Sequence, residues 1–235
     1  ATYVTTDLTI LKECSIIFLA LPIRHLIKPN IELIENIPQK AIITDVGSIK
    51  EPIINTWENL HPLFIGSHPM AGNEYKGVNA GKVNLFENSK WIITPTPRTD
   101  MESVERLSEL IISMQCEIIY SNPKDHDKAT SLISHLPIFF GSSLIQTAYE
   151  GNDKDVKILA QKIASSGFAD SSRVGGGNAE LGRDLAEFNN ENILYGIRKL
   201  KVNLDDFERM IIEKNWEKLY DKLDKSKDIR KKFFN

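Results

Sequence analysis

"SIIFLALPIRHLIKPNIELIENIPQKAIITDV", residues 15–46, reads as one strand–helix–strand unit. It begins and ends on short apolar runs with no polar alternation, the pattern of strands buried on both faces of a parallel sheet. Between them, residues 24–37 have helical spacing. The same alternation continues in "PLFIGS" (62–67), "WIITPT" (91–96) and "EIIYS" (117–121), with helices predicted over 49–60 and 101–114. The last of these shows a stripe of Met101, Val104, Leu107, Leu110, Ile111 and Met114. Strand and helix in turn, joined by right-handed crossovers, specify a doubly wound α/β fold with a parallel sheet. Such sheets bind ligands outside the carboxyl ends of their strands. "LALP" (19–22), "DVGSIK" (45–50) and "GSHPMAG" (66–72) all fall on those ends, so their loops converge on one crevice.

From residue 122 onward the pattern is helical, which divides the chain into a sheet-bearing part, 1–121, and an all-α part, 122–235. Asn122 and Pro123 are suited to the N-cap and first position of a helix that runs to about 150, with a kink at Pro137. A second helix is expected to stop at Gly167. The glycine-rich joint "RVGGGNAELG" (173–182) leads into one long helix marked by Leu181, Leu185, Phe188, Ile193, Ile197, Leu200, Leu204, Phe207 and Ile211. A last helix carries Trp216, Leu219 and Leu223 before a basic tail expected to fray.

The 235 residues provide ample material for a core, and a net charge of −3 gives no general attraction to nucleic acid or anionic lipid. Cys14 and Cys116 lie beside strand-like runs and read as buried thiols of a reducing compartment. The longest apolar run, 16–23, is too short to cross a bilayer. These features point to a cytoplasmic protein. No Cys/His cluster has metal-binding spacing.

"TDVGSIK" (44–50), "GSHPMAG" (66–72), "HD" with "SHLP" (126–127 and 134–137) and "SSGFADSSRVGGGN" (165–178) occur in that order. In this the sequence resembles the prephenate/arogenate dehydrogenases of tyrosine biosynthesis, in particular their cyanobacterial-type members. The resemblance implies a Rossmann-type domain, an all-α dimerisation domain, a homodimer, and oxidative decarboxylation of prephenate or arogenate. NADP is the implied cofactor, with NAD as the alternative.

The resemblance makes His68 the catalytic base and Ser48 its neighbour beside the nicotinamide. A neutral imidazole suits that base, since its ordinary pKa is about 6.5. From the residues alone, Ser48 is equally well read as a helix N-cap. Leu21, Pro22 and Ser48, at strand ends, are expected to face the cofactor. Arg173, His135 and Glu74 correspond to substrate-binding positions. Arg173 could grip a carboxylate bidentately, with the glycines at 175–177 permitting close backbone approach. Taken alone, Arg173 reads as a surface residue and His135 as a core histidine on a kinked helix. Asp127 and Asp170 read as capping or orienting neighbours.

Two departures stand out. Ala169 replaces a basic residue that many members carry, which puts one pocket cation in doubt. No G-x-G-x-x-G follows a strand in these residues. The reading is therefore of a partial Rossmann-type sheet, with either about 40–50 residues left out at the N-terminus or another element covering the edge of "SIIFLAL". By itself the chain is expected to bind NADP or NAD poorly. The alternative from a different class is a non-catalytic helical dimer or substrate-binding remnant without its cofactor half.

Overall fold

The computed structural model describes residues 3–72, 81–151 and 153–234. Two compact units divide the chain, residues 1–192 and 193–235.

The first unit is built on a five-stranded sheet in the order β1 (Ile16–Leu19), β2 (Ile42–Asp45), β3 (Phe64–Pro69), β4 (Lys90–Thr94), β5 (Glu117–Tyr120). The β1–β2–β3 pairs are parallel, as the uninterrupted apolar runs require. A wholly parallel sheet is not what forms, because β4 runs antiparallel to β3 and only β5 is parallel to β4. The chain therefore reverses beside β3.

Helices cover the sheet. On α4 (Met101–Ser113), capped by the Asp100 carboxylate, Val104, Leu107 and Ile111 pack with Ile42, Ile65, Trp91 and Ile93. Met101 of the same stripe stays exposed. The segment expected to be one helix over 24–37 is two short ones, α1 (Ile23–Ile27) and α2 (Ile31–Asn36). Pro29 cannot continue α1, and the Asn30 side chain caps α2. Trp57 of α3 (Glu51–Trp57) stacks on Phe64 at 5.7 Å and donates to the Leu26 carbonyl at 2.8 Å.

Helices α5 (Pro123–Thr130) and α6 (Leu136–Tyr149) are joined by a π-helical turn at Ser131–His135. Pro137 is the second residue of α6, and the wide turn before it removes the clash an α-helix would impose. Gly167 does not stop a helix: α7 (Lys154–Ile163) ends in extended backbone at Ala164, and Gly167 lies within α8 (Ser166–Ser172). A 3-10 turn at Arg173–Gly176 follows. The long helix is interrupted at Asn189, giving α9 (Ala179–Phe188) and α10 (Asn190–Ile212).

In the second unit, the residues of α10 beyond Asn192 are followed by α11 (Trp216–Lys231). Lys222 pairs with Asp206 at 3.2 Å and lies 4.8 Å from the Phe207 ring centroid. Most of the basic tail is helical rather than frayed, with Lys227–Asp224 and Lys231–Asp228 pairs along it. No described helix is long and apolar enough to cross a membrane.

Candidate active site

The carboxyl ends of β1, β2 and β3 open into a cavity of about 580 Å³. Leu21 and Pro22 come from the first end, Val46 to Ser48 from the second, His68 and Pro69 from the third. Phe18, Phe86, Trp91 and Met114 make the rest largely apolar. The sequence thus brought together four of its chosen residues: His68, Ser48, Leu21 and Pro22.

A buried ion pair fixes two of those strand ends. Lys50 and Asp45 are both fully buried and directly bonded. The Asp45 carboxylate also accepts the Gly47 N–H at 2.8 Å and the Ser67 N–H at 3.2 Å, and Lys50 Nζ donates to the Ser67 carbonyl at 2.6 Å. Loop 46–50, which carries Ser48, is thereby tied to the strand that carries His68. Burial pushes the Asp45 carboxyl up and the Lys50 amine down, each partly offset by the other's charge. The Ser67 hydroxyl receives Thr44 Oγ1 at 2.8 Å and Trp91 Nε1 at 2.9 Å and donates to the Asp45 carbonyl at 2.8 Å. No side-chain polar group in this cluster is left without a partner.

His68 is buried beside the cavity. Burial, followed by the charges of Lys50, His126 and His135, holds its pKa well below the usual 6.5. The ring therefore stays neutral where an exposed histidine would begin to charge. Its Nδ1 lies 2.9 Å from Nε2 of His126, whose Nδ1 lies 2.8 Å from Asp127 Oδ1. Asp127 in turn accepts the Lys50 N–H at 2.6 Å and the Glu51 N–H at 2.8 Å. Helix α3, which has no side-chain cap of its own, is thus capped from α5. Ser48 is consequently not the cap; it stands two residues earlier on the cavity wall.

The remaining candidates lie elsewhere. His135 is fully buried in the π turn and is not on the cavity wall. Its Nδ1 is 3.3 Å from Asn189 Nδ2, while Nε2 has no well-formed hydrogen bond, although the Ser48 backbone is near enough to favour the charged ring. Burial outweighs that contact and the Asp127 charge, taking the pKa to about 4. Arg173 is exposed in its 3-10 turn, away from the cavity wall. The glycines after it serve packing: a Cβ on Gly175 would come within 2.1 Å of Ser142 N on α6. Here the close approach is to another backbone, not to a ligand. Glu74 lies outside the described residues.

Residues 1–120 match the family described as prephenate dehydrogenase, nucleotide-binding domain, and residues 122–225 match prephenate dehydrogenase, dimerization domain. The chain belongs to the prephenate dehydrogenase family. It is 30% identical over 223 residues to the prephenate dehydrogenase of Bacillus subtilis (strain 168), covering 93% of this chain and 60% of that protein. It therefore spans about three-fifths of that relative's length. The structure resembles that of Synechocystis arogenate dehydrogenase, with a TM-score of 0.80 and 37% identity over 97% of this chain and 82% of that one. It also resembles prephenate dehydrogenase from A. aeolicus in complex with hydroxyphenyl propionate and NAD+, with a TM-score of 0.88 and 27% identity over 97% and 80% of the two chains.

Sequence reading passed over His126, Lys50, Asp45 and Asn189, and gave Asp127 only a capping or orienting role. "HD" and "TDVGSIK" were the available signals: buried charge inside otherwise apolar runs needs partners.

Proposed function

We propose that this chain is the catalytic part of a dehydrogenase of tyrosine biosynthesis that oxidatively decarboxylates prephenate or arogenate. The observation that carries the reading is the buried, neutral imidazole of His68 lining an apolar cavity that Ser48 also lines from the neighbouring strand end.

The substrate is a cyclohexadienol with a ring carboxylate. His68 accepts the proton of the carbinol hydroxyl at the nitrogen not engaged by His126. The cavity's largely apolar walls, Phe18, Phe86 and Trp91 among them, suit a flat ring, and Leu21, Pro22 and Ser48 would hold a nicotinamide there. When bound, that group would accept the hydride from the carbinol carbon. Loss of the ring carboxylate as carbon dioxide then makes the ring aromatic. On the sequence resemblance alone, Arg173 serves a substrate carboxylate and His135 and Glu74 complete the substrate-binding set; neither Arg173 nor His135 lines the cavity.

Identity to the Synechocystis arogenate dehydrogenase, 37%, exceeds that to the A. aeolicus enzyme, 27%. On that ground we favour arogenate over prephenate, and the cyanobacterial-type resemblance of the sequence leads us to favour NADP over NAD. We put the boundary between the two functional domains at residue 121, a reading supported by matched segments that end at 120 and begin at 122. A homodimer is supported by the dimerization-domain match and by Trp216, Tyr220 and Leu223, which are more than half exposed. Cytoplasmic location fits the free thiols of Cys14 and Cys116. No observation favours a non-catalytic remnant.

A spectrophotometric assay of the full protein with each substrate and each cofactor tests the reading. Reduction of NADP or NAD dependent on arogenate or prephenate is expected. Absence of turnover with every pair would overturn it.

A further inference from the structure

We propose that His126 is a positioning residue that sets the tautomer of His68, placing the proton on Nδ1 and the lone pair on Nε2. This rests on His68 being the base of the proposed reaction. The sequence motifs imply which residue is the base; they do not say what decides which of its nitrogens is bare.

The hydrogen-bond chain decides it. Ionised Asp127 can only accept, and its Oδ1 already receives the Lys50 N–H at 2.6 Å. The contact of 2.8 Å with His126 Nδ1 therefore requires a proton on that nitrogen. Where that is the ring's only proton, Nε2 presents a lone pair. At 2.9 Å from it, Nδ1 of His68 has to be the donor. The opposite assignment would set two lone pairs, or two hydrogens, against each other at this distance. Which ring nitrogen carries the proton is set by the bond the other one makes.

The geometry leaves the rings little freedom to exchange roles. They meet edge to face, with centroids 5.1 Å apart and planes at 75°. Both are buried. The Thr130 hydroxyl donates to the His126 carbonyl at 2.9 Å, fixing that turn of α5. Asp127 is itself held by the two N–H groups at the start of α3. A base fixed by a second group, itself oriented by a third, is a general solution to holding one tautomer ready.

Three substitutions separate this role from simple packing. His126→Phe keeps a ring and removes both nitrogens. His126→Gln can reach His68 with its amide oxygen, taking the place of Nε2 without the bond to Asp127. His126→Asn does the reverse, replacing Nδ1 only. In the full protein, kcat should fall about 10- to 100-fold in the Phe and Asn variants, with KM within about two-fold, and recover substantially in the Gln variant. Recovery in Asn but not Gln would mean that His126 acts on the α3 cap, and the proposal would fall. Equal kcat in the parent and the Phe variant would also sink it. If the Phe variant does not fold, the Gln and Asn pair still decides.

Nitrogen-15 NMR of the His68 ring in this chain needs no substrate and gives an independent answer. A protonated Nδ1 and bare Nε2 in the parent, lost in the Phe variant, supports the proposal. A proton on Nε2 in the parent overturns it. Should the parent turn over neither substrate, the functional reading fails while the NMR result still settles the tautomer.

Discussion

The carboxylate of Asp127 accepts the backbone N–H of Glu51 at 2.8 Å, so a helix that follows β2 is capped by a residue from α5, 76 positions later in the chain. The same carboxylate takes the Lys50 N–H and the ring of His126. Removing it leaves several buried donors unanswered at once. Asp127→Ala should cost about 2–3 kcal/mol of stability, more than an ordinary exposed cap. Urea unfolding of this chain measures the cost. A loss below about 0.5 kcal/mol would mean that water or another group replaces the carboxylate.

Much of this arrangement was legible in advance, and the limits have physical causes. Strands β1 to β3 read correctly because burial on both faces leaves an uninterrupted apolar signature, and their convergent ends placed His68, Ser48, Leu21 and Pro22 around one cavity. Helix breaks at Pro29 and Asn189 were harder, since the apolar period runs through both. The pairing of Asp127 with α3 and of His126 with His68 had no local signal. Contacts between residues 58 and 77 positions apart depend on the finished packing, not on spacing.

His68→Asn should lower kcat by roughly two to four powers of ten with little change in substrate affinity, the usual effect of removing a positioned acid–base group. In the parent, burial and the Lys50 charge depress the imidazole pKa. The base form therefore persists below pH 6.5, and activity should decline only as pH drops through that depressed value. A kcat/KM profile whose acidic limb lies at or above the ordinary histidine value would contradict the assignment.

Lys50 should matter for both stability and that limb. Lys50→Met leaves Asp45 buried without its partner, a loss of about 3–5 kcal/mol. The double variant Asp45→Asn, Lys50→Met should be less damaged than the single one, because no unpaired charge remains. Without the ammonium, His68 protonates more readily, so the acidic limb should move to higher pH. Denaturant titration of the single and double variants checks the first claim, and the pH profile checks the second.

His135 gives the chain a stability that depends on acid. Its ring is buried with a pKa of about 4, against about 6.5 when unfolded. Between those values the unfolded chain binds a proton that the folded chain refuses, so stability rises with pH across this window. The contribution is complete above pH 6.5, shrinks as pH falls towards 4 and is gone below it. His135→Gln, which cannot titrate, should lose less stability than the parent on acidification from pH 7 to 4.5. The difference should be on the order of 2–3 kcal/mol. Other buried groups, His68 among them, titrate in both proteins, so comparing the two changes isolates His135. Unfolding free energies of parent and variant at the two pH values provide the measurement, and parallel changes in both would show that His135 is not held neutral by the fold.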